Sequence, residues 1–175
     1  MDRVSRAGRQ RIAISSPKTA DIEPIWQLHC QTDDNPWSKA DFMRCASKNS
    51  AQEATEHRSI ASPHLHLFQA KNEEAKLLGF ALFSLSHGLL ELYKIAVWPA
   101  ARSQGIGHAL LAHGLNTLTH DSCLLEVSQQ NISAILLYER LGFTTIDRRK
   151  NYYSHLTGEA QHALIMQRPR KALDD

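Results

Sequence analysis

Glu126 interrupts an otherwise apolar run, C-L-L-E-V from Cys123 to Val127. A carboxylate there is costly unless it is paired or stands at an opening, and partial desolvation would raise its proton affinity toward that of a useful general base. At a sheet rim the same residue would only make a salt bridge, and the spacing alone leaves both open. Asn131 and Tyr138 are seven residues apart, two helical turns, so they share one face of a helix with Ala134 and Ile135 between them. A phenol at that place can donate a proton, or it can pack in a core with Leu137 and Leu141.

The third chemical stretch is Lys94 to Leu111, K-I-A-V-W-P-A-A-R-S-Q-G-I-G-H-A-L-L. An apolar strand ends at Trp98-Pro99, because proline cannot donate to a ladder and biases its predecessor toward extended backbone. The Val97 N–H is then a candidate to stay unpaired at the strand end. A polar turn with Arg102, Gly105 and Gly107 opens directly onto a helix. Unpaired N–H groups at a glycine-rich helix start, with the positive end of the helix dipole, attract phosphate, and residues without Cβ leave room for it. Glu126 and Asn131 flank the C-terminal end of a strand beside this cradle, where open α/β sheets place ligands. A base, an acid and an anion site therefore converge.

The elements that must position these residues follow from periodicity. Arg11 to Ser15 alternates as a short strand, and Thr19 can cap a helix from about Ala20 that buries Ile22, Ile25, Trp26 and His29. After the turn Asp33-Asp34-Asn35-Pro36, Ser38 and Asp41 form a capping-box pattern, with Trp37 and Phe42 as its staple, so a second helix starts at Lys39. Residues 48–63 read as a helix end and a surface loop. From His64 the period is two: His64 to Ala70, a turn over 71–76, Leu77 to Ser86 and Leu89 to Val97 form a meander. A helix from Gly105 to about His120, the strand at Cys123 to Val127 covered on both faces, and a helix over Ile132 to Leu141 capped by Asn131 and stopped by Gly142 come next. Phe143 to Ile146 and His162 to Met166 are the last strands, across a polar segment holding Asn151, Tyr152 and Tyr153.

A chain of 175 residues suits one domain, expected over 11–170, since about 150 residues bury about 70% of their unfolded surface. With 20 Lys+Arg against 18 Asp+Glu, composition forces no nucleic-acid role. The four arginines of residues 1–11 suggest a disordered basic tail over 1–10. Three cysteines (Cys30, Cys45, Cys123) without C-x-x-C argue against a disulfide framework or cysteine zinc site and fit a reducing cytoplasm. Ten histidines include no H-E-x-x-H, and only His64-x-His66 shares a strand face, so no metal is expected. No apolar run reaches the roughly 18 residues of a membrane span.

The motifs resemble a known family. R-S-Q-G-I-G at Arg102 to Gly107 is similar to the R/Q-x-x-G-x-G/A acetyl-CoA loop of the GNAT N-acetyltransferases, and I-A-V at Ile95 to Val97 to the splayed strand before it. N-P-W-S (Asn35 to Ser38), L-E-V (Leu125 to Val127), N-x-x-A-x-x-L-Y-E-x-L-G-F (Asn131 to Phe143) and N-Y-Y (Asn151 to Tyr153) resemble its RimI branch, peptide alanine N-acetyltransferases that modify a small-subunit ribosomal protein. The resemblance spans roughly Ile14 to Met166.

It implies an α/β fold whose mixed, mostly antiparallel sheet of six or seven strands is splayed at the cofactor and flanked by about four helices. It also implies roles. The N–H groups of Ser103, Gln104, Gly105, Ile106, Gly107 and His108, with Arg102, would hold the pyrophosphate. Ile95, Ala96 and Val97 would pair with the pantetheine, the Val97 N–H polarising the thioester carbonyl. Asn131 would bind the cofactor arm, Glu126 would be the base acting through water, and Tyr138 would protonate the departing thiolate. Transfer would be direct, in a ternary complex, with no role for Cys123. Three departures stand out: Ser128 and His108 replace arginines usual in this branch, and His162 replaces a common acidic residue. Losing an arginine at 128 removes a planar fork of donors on the peptide side.

The expectation is thus a cytoplasmic, acetyl-CoA-dependent acetyltransferase of a protein N-terminus, its peptide groove lined by Trp37, Tyr152 and Tyr153 unless these are core residues. It needs no metal, membrane or nucleic acid, and the oligomeric state is not specified. Acetylation of a small amine and non-catalytic binding of coenzyme A are the rival expectations.

Overall fold

The computed structural model describes residues 11–33, 36–40, 42–43, 64–153 and 161–169, with residues 150–153 and 161 described by their backbone alone. The tail at 1–10, Asn35, Asp41, Cys45 and the 48–63 loop of the sequence reading lie outside these residues.

The described elements are β1 (Ala13–Ser15), α1 (Ile22–Thr32), β2 (His64–Lys71), β3 (Leu77–Ser86), β4 (Leu89–Val97), α2 (Ile106–Thr117), β5 (Ser122–Ser128), α3 (Ile132–Arg140), β6 (Thr144–Tyr153) and β7 (Gln161–Pro169). They form a seven-stranded sheet in the order β1-β2-β3-β4-β5-β7-β6. Only β4 and β5 run parallel, with α2 as the crossover that a parallel pair requires. The mixed, mostly antiparallel sheet is the expected one. Among the described residues there are three long helices, and a further helical turn contains Lys39, Ala40, Phe42 and Met43, where the Phe42 N–H donates to the Ser38 carbonyl at 3.0 Å.

Each sheet face carries its own core. Ile22, Ile25 and Leu28 of α1 pack with Phe42, Leu67, Phe80 and Leu82 on one face. On the other, Ile106, Leu110, Leu111 and Leu115 of α2 join Phe83, Leu90, Leu125, Tyr138 and Met166. Fully buried side chains such as Phe80, Phe83 and Leu110 contribute about 1.5–3 kcal/mol each by leaving water. Gly114 matters here, because a Cβ at that position would lie 2.4 Å from the Phe83 ring. A side chain there would push α2 off the sheet.

Several expectations are corrected. Helix entry is not capped by Thr19: a 3-10 turn over Thr19–Asp21 precedes α1, and the Asp21 carboxylate reaches back to the Lys18 N–H at 2.9 Å. The β6 strand does not stop at Ile146, since pairing with β7 carries it to Tyr153 across residues that composition marks as a loop. Most important, β5 is not covered on both faces. Cys123, Leu125 and Val127 are buried, whereas Leu124, Glu126 and Ser128 on the opposite face are only half-buried. Helix α1 packs chiefly on β3 and β4, so the Glu126 face of β5 lies beside the helix rather than under it.

Candidate functional site

The site is built around a parting of two strands. Parallel pairing of β4 with β5 runs from Leu89↔Ser122 to Leu92↔Leu125 and then ends, although both strands continue. The partner of Phe83 in β3 is Leu92 and that of Leu82 is Lys94, so Tyr93 is an extra, bulged residue. A bulge bends and twists its strand, and this one lies where β4 turns away from β5.

Register decides which backbone groups face the gap. The Trp98 N–H donates to the Leu78 carbonyl at 2.9 Å, which makes Trp98 and Leu78 a hydrogen-bonded antiparallel pair. In such a ladder bonded and non-bonded pairs alternate, so Val97 (opposite Gly79) and Ile95 (opposite Ala81) direct their N–H and C=O away from β3. These groups point into the split, whereas Ala96 is bonded to β3. Of the expected pantetheine-pairing residues, Ile95 and Val97 therefore present their backbone and Ala96 does not. The Arg102 Nε–H donates to the Val97 carbonyl at 3.3 Å, which leaves the Val97 N–H as the unclaimed half of that peptide pair. Gly79 is needed for this arrangement, since a Cβ there would come within 2.6 Å of the Ala96 oxygen.

The turn after β4 forms the cradle. A 3-10 turn over Pro99–Ala101 leads to Ser103 (φ 61°) and Gly105 (φ 81°), both left-handed, and Gly105 is the N-cap of α2. Left-handed residues between ordinary ones gather successive N–H groups into an anion-binding concavity. The first α2 bond runs from the Ala109 N–H to the Gly105 carbonyl at 2.9 Å, so the N–H groups of Ile106, Gly107 and His108 have no partner within the helix. Gly105 borders open space, room that a phosphate group requires. Gly107 serves packing instead, because its Cβ would meet Leu137 at 3.3 Å. The Gln104 side chain donates to the Ala100 carbonyl at 3.2 Å and braces the turn, while His108 is exposed.

Glu126 and Tyr138 come from opposite faces of the sheet. Glu126 is 30% exposed, and its Oε1 pairs with Arg149 Nη1 at 2.9 Å. Of the two readings the sequence left open for Glu126, the structure has the salt bridge, which reaches from β5 to β6 across β7. Tyr138 is 5% exposed within the α2/α3 core, and its ring lies 6.0 Å from that of Phe143. This contact belongs to the helix end: Gly142 (φ 86°) is left-handed, its N–H donates to the Glu139 carbonyl at 2.9 Å, and the Phe143 N–H donates to the Tyr138 carbonyl at 3.0 Å. That is a Schellman stop with its usual hydrophobic contact. Asn131 caps α3 as expected, its Oδ1 accepting from the Ala134 N–H at 3.2 Å and the Ser133 hydroxyl at 3.1 Å.

Beside the split on the Glu126 face, α1 grips the segment carrying Trp37. The Trp37 N–H donates to His29 Nε2 at 2.9 Å, and the Trp26 indole N–H donates to the Trp37 carbonyl at 3.4 Å. The Trp37 ring meets the bulged Tyr93 edge-on at 6.3 Å. His29 is buried against Phe42 (5.2 Å) and Phe80 (6.1 Å), so the expected Trp37–Phe42 staple is bridged by an imidazole. Burial pushes that imidazole below the ordinary histidine pKa; Asp33, 3.8 Å from Nδ1, opposes this and Lys94 adds to it. Lys94 in turn pairs with Asp33. Tyr152 and Tyr153 continue β6, with Tyr153 in register with Gln161, and their side chains are outside what is described.

Sequence reasoning missed His29, Lys94, Asp33 and Arg149 as contributors to this face. One signal was available: Lys94 is a charge inside the largely apolar β4 strand, as anomalous there as Glu126 is in its own. Cys123 is buried and its thiol pushed up to about 12 by that burial, with Arg168 opposing and Glu91 assisting. It is no nucleophile. Among the described residues no group of three His, Cys, Asp or Glu side chains is placed to hold a metal, and no helix is long and apolar enough to cross a membrane.

Residues 22–143 match the Acetyltransferase (GNAT) family. The [Ribosomal protein bS18]-alanine N-acetyltransferase of Escherichia coli is 30% identical over 159 residues, covering 89% of this chain and 96% of its own. The crystal structure of the ribosomal-protein-S18-alanine N-acetyltransferase from Escherichia coli superposes with a TM-score of 0.75 at 28% identity, covering 94% of this chain and 97% of that one. The N-alpha-acetyltransferase RimI of Mycobacterium tuberculosis is 29% identical over 153 residues, covering 84% and 87%.

Proposed function

Because the chain belongs to the Acetyltransferase (GNAT) family, we propose that it is a cytoplasmic, acetyl-CoA-dependent N-alpha-acetyltransferase whose acceptor is the N-terminal alanine of a small-subunit ribosomal protein. The observation that carries this is the parting of β4 from β5 beside the cradle at the start of α2. It provides backbone donors for a pyrophosphate and, at Ile95 and Val97, an unpaired strand edge for an amide-bearing arm. These features fit acetyl-CoA, which would supply its acetyl group as a thioester.

The residues divide the labour by sheet face. Glu126, on the half-open face, would take a proton from the incoming α-ammonium through a water, so that the free amine can bond to the carbonyl carbon. The Val97 N–H would stabilise charge on the carbonyl oxygen. Tyr138, on the α3 face, would give its proton to the sulfur as the carbon–sulfur bond breaks; the second proton, lost from the nitrogen as the amide forms, would restore the phenol, and the proton held by Glu126 would return to solvent. Trp37, with Tyr93 beside it, would wall the acceptor entrance, and Tyr152 and Tyr153 would extend it. The protein substrate rests on the relatives at about 30% identity: the name of the Escherichia coli enzyme specifies ribosomal-protein alanine, and that of the Mycobacterium tuberculosis one specifies N-alpha-acetylation.

The deciding experiment offers the purified protein acetyl-CoA with peptides beginning in alanine and, separately, with polyamines, followed by mass spectrometry. Acetylation of the peptide α-amine is expected. Acetylation of polyamines alone would refute the acceptor assignment while leaving the family chemistry intact.

A further inference from the structure

We propose that His29 is a positioning residue for the acceptor side: uncharged, with its hydrogen on Nδ1, it pins the main chain of Trp37 and so fixes the wall that Trp37 and Tyr93 build beside the split, and its protonation releases that wall. The kinetic arm of the test rests on the proposed acetyltransferase reading, whereas the spectroscopic arm does not.

The tautomer follows from one bond. A backbone N–H can only donate, so the Trp37 N–H at 2.9 Å from Nε2 requires a lone pair on that nitrogen. The ring hydrogen is then on Nδ1, which faces Asp33 at 3.8 Å. The groups around the ring are the Asp33 carboxylate from the residue that ends its own helix, Lys94 from β4, and the uncharged rings of Trp37, Phe42 and Phe80. Lys94 is bound to the same carboxylate, so Asp33 is already matched by a cation and gains little from a second one. A proton arriving on Nε2 would convert the acceptor into a donor facing another donor. Among the described residues, the Trp37 main chain would then keep the pH-independent hydrogen bond of its carbonyl with the Trp26 indole. The wall is consequently held by one titratable and one fixed clamp, and the titratable clamp is buried.

The sign is set by the depressed imidazole: the clamp is complete above the ordinary histidine value of about 6.5 and is lost as pH falls through the lower folded value. A glutamine at this position offers an amide oxygen near the site of Nε2 without titrating, whereas a leucine fills the volume and accepts nothing. The test compares wild type, His29→Gln and His29→Leu as full chains. Nitrogen-15 spectra of wild type should show hydrogen on Nδ1, and the Trp37 amide signal should move together with the His29 titration in wild type but hold still over the same pH range in His29→Gln. With an alanine-initiated peptide, His29→Leu should raise the acceptor KM about tenfold, as expected for one lost buried hydrogen bond. It should leave the KM for acetyl-CoA within about twofold, and His29→Gln should restore the acceptor KM.

Hydrogen on Nε2, or a Trp37 amide that ignores the His29 titration, overturns the proposal. So does an equal rise in both KM values. If His29→Leu does not fold, the wild-type titration and His29→Gln still decide. Absence of any peptide turnover by wild type would instead count against the acceptor assignment, leaving the spectra to judge His29.

Discussion

The two lips of the split are made differently. On the β4 and α2 side, backbone forms the surface: the strand-edge groups of Ile95 and Val97, the left-handed turn at Ser103 and Gly105, and the first N–H groups of the helix. On the sheet face that carries α1 and Glu126, side chains form it through contacts between separate segments: Lys94 with Asp33, Arg149 with Glu126, and the Trp37 N–H with His29. On the proposed reading, a lip made of backbone would meet the invariant parts of the cofactor, its pyrophosphate and its amide-bearing arm. A lip made of side chains can be changed residue by residue without disturbing the sheet, which suits the part that must discriminate between acceptors.

The difference is most sharply tested by removing the proposed base and keeping the cradle. Glu126→Gln should lower kcat by about 10²–10⁴-fold, the usual share of general-base catalysis. Binding of acetyl-CoA should still raise the melting temperature, since ligand at about 100 times Kd adds about 2.7 kcal/mol. An unchanged rate in steady-state assays would remove Glu126 as the base, and loss of the thermal shift would mean that the two lips are not independent.

The converse change is Gly79→Ala, which acts on the backbone lip without adding charge. Its methyl would lie 2.6 Å from the Ala96 oxygen, so β3 and β4 must separate at the strand end, costing about 1–3 kcal/mol. Calorimetry should show that destabilisation together with a smaller acetyl-CoA shift. A normal shift would mean that the edge of Ile95 and Val97 does not contact the cofactor.

This contrast also explains what was legible in the chain. Glycine spacing, Pro99 and the switch to a 3.6 period report backbone conformation locally, so the cradle, Asn131 as cap and Gly142 as stop could be located from sequence. The meander from β2 to β4 emerged for the same reason. The ion pair of Glu126 could not be told from a buried base, because Arg149 belongs to a strand whose pairing with β7 overrides its polar composition. His29 was legible only as part of an apolar stripe. Its task depends on a Trp37 N–H that the chain brings back eight residues later, and no periodicity encodes that.

A smaller effect should appear where α1 is tied to the sheet. Burial alone would raise the Asp21 carboxyl, but Lys71, the Lys18 N–H and Gln69 hold it down at about 2. The partners lie close, Lys71 Nζ at 2.6 Å and Gln69 Nε2 at 2.7 Å. Because the folded pKa is depressed, the stabilisation is complete above the ordinary aspartate value of about 3.9 and is lost as pH falls toward the folded one. It amounts to about 2 kcal/mol. Asp21→Asn should therefore be destabilising at pH 7 and nearly neutral at pH 2 in denaturant titrations; an equal cost at both pH values would assign the effect to packing.

The smallest expected change is Arg149→Met, and it bears on what an ion pair beside the proposed acceptor entrance is for. Arg149 and Glu126 are 51% and 30% exposed, so water screens their attraction, and such pairs contribute about 0–1 kcal/mol. Methionine keeps much of the side-chain length and removes the guanidinium. Stability should fall by less than about 1 kcal/mol, and the difference should vanish in about 1 M salt, where charges are screened over about 3 Å. A loss of several kcal/mol, persisting in salt, would mean that the pair is sealed from solvent and that the acceptor lip is as dry as the cofactor lip. With a small, salt-sensitive loss, Arg149 steadies the carboxylate at an open edge, where an incoming ammonium can take the guanidinium's place without first breaking a costly contact.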